Sequence, residues 1–517
     1  MKQLGLYLNG QYVQSSSHFP MHHAGSSETQ AMELAQLNSE NGDDAQIFEA
    51  ALDGIKISFE QMQSGFFPLA ERLQFLLRLR EKLFDKTEML ARLITLEIGK
   101  PITLSRAEIG RAIETLIYTI ECAENVLAKK KFKGSLDKQI SLNEAVCFLQ
   151  ARGPLFAITP FNFPINLMVH KIAPAIASGC TVLLKPSPKA QMCTLSFVDL
   201  LQSCELPAGV LNMIQVSNQS VGKIISDLRI NHFSFTGSAS VGWNLAAAHP
   251  SKKATLELGG NAPVFVDCSY KNETEALQKI ADQICKSAFN YGGQTCISAQ
   301  NVYADPEIFE DLKLALTLAC KSFPYGNPFS PLTLCGPLID AEHFQKTLSL
   351  KQSLIDVGAE LIGESTNIIA GEENFFLPPE SFSDFSLKDF QKVQQPTPHL
   401  MAPTLWGNIP ESHSIFEEEI FAPILTLSKV HSFNDFVTKV NSQSHRLQVS
   451  VYSRDKAVQQ SAATRLDFGG VLINQSPSLR IDALPYGGQG LAGLGREGPE
   501  FAMREFCEWK TIIHCDL

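Results

Sequence analysis

From Gly153 onward the chain keeps one rhythm: a short apolar run, a loop, a helix-like stretch, then another apolar run. "PLFAIT" (154–159) ends in a proline-rich loop. "NLMVHKIAPAIASG" (166–179) reads as a helix closed by Gly179, and "CTVLLKPS" (180–187) as a buried strand. "QMCTLSFVDLLQSC", "VLNMIQV", "VGKIISDL", "INHFSFTG" and "SVGWNLAAAH" continue the alternation to residue 249. After residue 260 a second series begins with "APVFVD", the helix "ETEALQKIADQICKSAFNYGG" (273–293), "SAQNVYAD" and "FEDLKLALTLACKSF". Strands that alternate with helices predict parallel sheets covered on both faces. Two α/β units follow from the two series.

The region before Gly153 is different. Residues 44–130 place apolar side chains at three- and four-residue steps with charges between, which predicts helices with a stop at Gly99-Lys100-Pro101. "KKKFKGSLDKQISLNEAVCFLQARG" (129–153) turns polar, with short alternating stretches that suggest a hairpin arm. Residues 362–398, rich in Ser, Glu, Phe and Pro, read as a long surface loop.

The chain has 517 residues, more than one core of ordinary size serves. Its net charge of −11 gives no electrostatic footprint for nucleic acid or anionic lipid. The uncharged run Gly153–Val169 is broken by Pro154, Pro160 and Pro164, so no membrane span is expected. "MKQLGLYLNGQYV" lacks a long apolar core and reads as the start of the fold. None of the twelve cysteines forms a CxxC pair. Mostly buried, reduced thiols in a cytoplasmic protein are expected, with no metal site.

Four stretches carry candidate chemistry. In "TPFNFP" (159–164), Asn162 is either a turn residue or an amide donor held for an oxyanion. In "TLELGGNAP" (255–263), Glu257 is a lone acid in an apolar run before two glycines. It is a strand-end surface group or a desolvated general base. In "NYGGQTCISAQ" (290–300), Cys296 follows two glycines and a polar turn. It is a packing thiol or a reactive one, and local sequence does not separate the two. "FSFTGSASVG" (233–242) runs a strand through a Gly-Ser turn into a helix, a natural anion site. Gly488-Gln-Gly490-Leu-Ala-Gly493 matches GxGxxG, but too little chain follows for the strand–helix–strand unit that motif needs. His18, His22 and His23 lack an acidic partner and are set aside as a metal site.

Taken in order, these stretches resemble the aldehyde dehydrogenase superfamily, in its NAD(P)-dependent, hydrolytic branch. "ITPFNFPINLMVHKIAPAIASGCTVLLKPS", "FTGSASVG", "LELGGNAP", "GGQTC", "EEEIFAPIL" and "LPYGGQGLAGLGREG" are all similar to its motifs, in family order over nearly the whole chain. The resemblance implies two doubly wound parallel-sheet domains: a Rossmann-like cofactor domain (1–130 and 150–257) and a catalytic domain (258–498). It adds a β-hairpin oligomerisation arm (131–149 and 499–517) and a homodimer or homotetramer. It implies Cys296 as nucleophile, Glu257 as general base, and Asn162 with the Cys296 backbone N–H as oxyanion donors. NAD or NADP is implied as cofactor. Lys185 would lie at the adenosine ribose, and Thr236, Gly237, Ser238 and Val241 at the pyrophosphate. Leu258 would lie at the nicotinamide, and Glu419 and Phe421 at its ribose. Ile158, Thr159, Phe161, Ser187 and Gly222 would complete the cofactor contacts.

Two departures from the family pattern matter. Position 188 is proline where NAD-preferring members often carry glutamate, so NADP is not excluded. Phe161 stands where tryptophan is usual. His170 and Arg480 are candidates for meeting an acidic or hydroxylated aldehyde, such as a semialdehyde or a lactaldehyde-like compound; a structural salt bridge is the other reading of Arg480. A CoA-acylating relative is the alternative function, and Glu257 argues against it. A cofactor-binding homologue without catalysis is the third.

Overall fold

The computed structural model describes residues 6–15, 17–21, 30–37, 42–132, 142–370 and 399–515. His22 and His23, and most of the 362–398 stretch, lie outside them. The strand 360–364 runs into the start of that stretch and 368–369 form another, so the stretch begins as sheet and not as loop.

The first series builds an eight-stranded sheet. Its five parallel strands, Leu155–Ile158, Val182–Lys185, Leu211–Met213, His232–Thr236 and Lys253–Glu257, lie side by side in the chain order 3-2-1-4-5. This is the doubly wound arrangement, and its direction reverses between Leu155–Ile158 and His232–Thr236. The strand Val182–Lys185 is buried throughout, as a strand between two helical layers must be. Antiparallel edges close both sides. The hairpin Leu6–Leu8 with Gln11–Val13 turns through Asn9 and Gly10, both at positive φ, as a two-residue hairpin loop requires. On the far edge Gly493–Leu494 pairs with Leu256 and Glu257.

Four helices precede this sheet: Gly42–Gln63, Leu69–Asp85, Thr87–Ile98 and Ile102–Val126. In the second, Leu73, Leu76, Leu79 and Leu83 form one buried stripe at helical spacing. They pack into a core shared with the helix Asn166–Ser178. That helix is buried all round and ends at Gly179, in the left-handed conformation.

The second series forms a seven-stranded sheet. Ala262–Val266, Ala299–Ala304, Thr404–Gly407, Ile424–Lys429, Gln448–Tyr452 and Gly470–Ile473 run parallel, and Glu360–Glu364 is its antiparallel edge. The fold is therefore α/β with two parallel-sheet units. Lys130–Phe132, Leu142–Ala151 and Cys507–Cys515 make a separate three-stranded antiparallel sheet. The helix Pro499–Phe506, expected in the arm, instead buries Ala502, Met503 and Phe506 in the first core. Among the described residues no helix is long and apolar enough to cross a membrane.

Candidate active site

The chain passes from the carboxyl end of the first sheet, at Glu257, to the amino end of the second, at Ala262, over four residues. A cleft of about 570 Å³ opens at this crossing. Open α/β sheets place ligands beyond the carboxyl ends of their strands, at the reversal of strand order. The crossing is tight. A Cβ on Gly260 would lie 2.8 Å from the Cys296 carbonyl oxygen, so this segment packs directly on the Cys296 backbone.

Cys296 is presented by a turn that breaks the preceding helix. The helix ends at Phe289 and does not run to Gly293 as its sequence suggests. Tyr291, Gly292 and Gly293 take positive φ, which a helix does not accommodate. At Gly293 a Cβ would meet the Ala422 carbonyl at 2.4 Å, so glycine is needed there for space as well as conformation. Gln294 locks the turn. Its side chain donates to the Tyr291 and Pro337 carbonyls at 3.0 and 3.2 Å and accepts from the Ile339 N–H at 2.9 Å. Cys296 itself is partly buried, with Sγ 3.1 Å from the Tyr486 hydroxyl. Burial pushes the thiol up to about 12; the Tyr486 hydrogen bond acts the other way.

Glu257 stands at the end of its strand, beside Thr236 and Gly493 in register. It is buried, and neither carboxylate oxygen has a hydrogen-bond partner among the described residues. Burial raises its pKa well above the usual range, and the Glu497 charge raises it further. Glu497 has the opposite fate. Lys171 donates to it at 2.9 Å and Arg480 at 3.3 Å, and against the cost of burial these cations hold it down to about 2. Two neighbouring carboxyls are thus split: Glu497 stays ionised and Glu257 takes the proton readily. Asn162 lines the same cleft. Its Nδ2 donates to the Gln294 carbonyl at 3.0 Å, leaving a second N–H.

Of the other residues singled out in the sequence, Phe161, Ser187, Thr236, Gly237, Ser238, Leu258, Glu419, Phe421 and Arg480 line the cleft. Glu419 is partly buried, with one buried oxygen that has no partner among the described residues, and its surroundings raise its pKa to about 7, through desolvation. Thr236 Oγ1 is likewise buried and unpartnered. Ser238 precedes the helix Ala239–Ala248 without capping it, so the first-turn N–H groups are not taken by that side chain. Phe421 takes φ 54° and packs edge-on against Phe161, ring centres 6.2 Å apart. Ile158, Thr159, Lys185, Gly222, Val241 and His170 are not among the lining residues. Lys185 pairs with Ile158 at the strand ends, and burial lowers its amine to about 8. Gly222 lies in the helix Asn218–Ser226, and Val241 is exposed.

His170 lies behind the cleft wall. Its ring is fully buried, 3.0 Å from Asp482, and burial followed by the Arg480 charge lowers its pKa. Arg480 reaches the cleft, yet its guanidinium is shared between Glu497 and Asp482 and stacks 3.9 Å from the Tyr486 ring centre. Arg111 donates to the same Asp482 at 2.7 and 3.0 Å. Tyr486, Glu497 and Lys171 were not singled out in the sequence. A tyrosine before two glycines is the only local signal for the first, and it is also what a core aromatic looks like.

A family model described as "Aldehyde dehydrogenase family" matches residues 26–390 and 387–512. A lactaldehyde dehydrogenase of Methanococcus maripaludis is 31% identical over 451 residues, covering 86% of this chain and 88% of that protein. A 3-sulfolactaldehyde dehydrogenase of Priestia aryabhattai is 27% identical over 525 residues, covering 99% and 98%. The crystal structure of aldehyde dehydrogenase 21 from Physcomitrella patens, in complex with the reaction product succinate, superposes with a TM-score of 0.86 at 26% identity. It covers 99% of this chain and 98% of that one. The matches span both sheets and the cleft between them, and the chain belongs to the aldehyde dehydrogenase family.

Proposed function

We propose that this protein oxidises a small hydroxyaldehyde or semialdehyde to the carboxylic acid, with NAD or NADP, by the hydrolytic route. One observation carries the reading: a single cleft brings together a partly buried thiol, Cys296, an unpartnered buried carboxyl, Glu257, and the Asn162 amide. The Cys296 thiolate attacks the aldehyde carbonyl. The free N–H of Asn162 and the Cys296 backbone N–H, which makes no backbone hydrogen bond among the described residues, receive the oxyanion. A bound nicotinamide dinucleotide supplies the chemistry of a hydride acceptor. With its hydride passed to such an acceptor, the tetrahedral adduct on Cys296 would become an acyl thioester. Glu257 then takes a proton from water, and the hydroxide formed releases the acid.

The residues present fit such a cofactor. Glu419 and Thr236 offer buried, unpartnered oxygens, and the helix beginning after Ser238 offers N–H groups to an anion. Lys185, Val241, Leu258 and Phe421 would complete the contacts. The relatives named for lactaldehyde and sulfolactaldehyde support a small, hydroxylated substrate. Exposed Trp509 and Ile513 on the three-stranded sheet support self-association as a homodimer or homotetramer. A panel of aldehydes with NAD and NADP tests the activity. Acid should form without coenzyme A; turnover that requires coenzyme A would favour the acylating alternative.

A further inference from the structure

We propose that Tyr486 is a positioning residue for the nucleophile: its hydroxyl donates to the Cys296 sulfur and favours the thiolate, and the Arg480 cation on its ring strengthens that donor. The inference rests on the reading of Cys296 as nucleophile. The geometry is specific. The hydroxyl lies 3.1 Å from Sγ, and Tyr486 is 6% exposed, so water does not compete freely for either atom. The ring belongs to a small core with Ile297, Leu447 and Ala492, against which Cys296 packs. On the ring face, the Arg480 guanidinium sits 3.9 Å from the centre, held by Glu497 and Asp482. A cation held there favours electron density on the phenol ring.

The contact matters because the other groups facing the sulfur mostly oppose ionisation. Glu257 and Glu419 raise the thiol's pKa by charge, and burial raises it more; Arg480 lowers it. A neutral thiol and a phenol can donate either way. A thiolate has no proton to give, so the hydroxyl must then donate, and the bond becomes charge-assisted. When the sulfur attacks carbon it loses its charge, and the hydrogen bond weakens without a proton changing place.

The test measures the rate of iodoacetamide alkylation at the Cys296 peptide, by mass spectrometry, across the neutral to alkaline range. Tyr486→Phe keeps the ring and removes only the hydroxyl. Its alkylation should run parallel to wild type and about tenfold slower, the effect of a pKa one unit higher. Replacing Tyr486 by 3-fluorotyrosine makes a stronger donor in the same space, so alkylation should be faster than wild type. Equal rates in all three proteins, or a loss in Phe with no gain in fluorotyrosine, would overturn the inference. Residual turnover after complete Cys296 alkylation would instead overturn the reading of Cys296 as nucleophile.

Discussion

Glu419 occupies the space that a side chain on Gly259 would need. A Cβ built on Gly259 would meet Glu419 Oε2 at 2.2 Å and Cδ at 2.6 Å. The glycine between Leu258 and Gly260 is therefore what lets a carboxyl from the second unit lie against the crossing segment. Gly259→Ala should push Glu419 out of place. The expected outcome is a KM for NAD or NADP raised about tenfold, or about 1.4 kcal/mol of binding, with the aldehyde KM little changed. Unchanged cofactor KM would remove Glu419 from the cofactor site.

Glu257 should weaken the fold while it serves the chemistry. Its folded pKa lies above the unfolded value of about 4.3, so its contribution to stability is fully present below that value. That contribution is lost as pH rises through the raised folded pKa. Glu257→Gln removes the titration. Thermal melts should therefore show the variant gaining on wild type as pH rises, with the two nearly equal in acid. A difference independent of pH would mean that the surroundings of Glu257 do not raise its pKa.

Arg480 is tied into a buried ion-pair network, which favours a structural role over direct substrate contact. Arg480→Gln leaves Glu497 and Asp482 short of a partner, a loss of about 3–5 kcal/mol for a broken buried pair. Denaturant unfolding should show it, with reduced yield of folded enzyme. A stable variant with only a raised aldehyde KM would return Arg480 to the substrate.

The cofactor choice turns on an absent charge. Pro188 puts no carboxylate near Lys185 and Ser187, so both NAD and NADP should be turned over. Pro188→Glu should lower kcat/KM for NADP about tenfold or more relative to NAD, through repulsion of the 2′-phosphate. Equal discrimination before and after would place the selectivity elsewhere.

The parallel core of the first sheet and the first two strands of the second, Ala262–Val266 and Ala299–Ala304, were legible because their evidence is local. Strands such as Leu155–Ile158 and Val182–Lys185 are short apolar runs bounded by turn residues, and the helices between the strands carry their own periodicity. Cys296, Glu257 and Asn162 stand out in the sequence only through the order of several motifs, since alone they read as a packing thiol, a strand-end surface acid and a turn amide. Tyr486 was not legible: its role depends on a contact across 190 residues of chain, and nothing next to it in sequence points to the sulfur. The same holds for His170. Its position beside the asparagine loop suggests a cleft residue, but Asp482, far along the chain, draws the ring into the wall. The helix before Cys296 was overextended because the left-handed turn at Tyr291 lies outside what glycine content alone predicts.

The most direct test stops the reaction halfway. Glu257→Gln, mixed with lactaldehyde and NAD or NADP, should give a burst of reduced nicotinamide equal to the enzyme and then turn over about 10²–10⁴ times more slowly than wild type. Mass spectrometry of the quenched protein should find one acyl group per chain on the Cys296 peptide. A burst with no acyl group there, or an acyl group on another residue, would contradict Cys296 as the nucleophile that Glu257-activated water relieves.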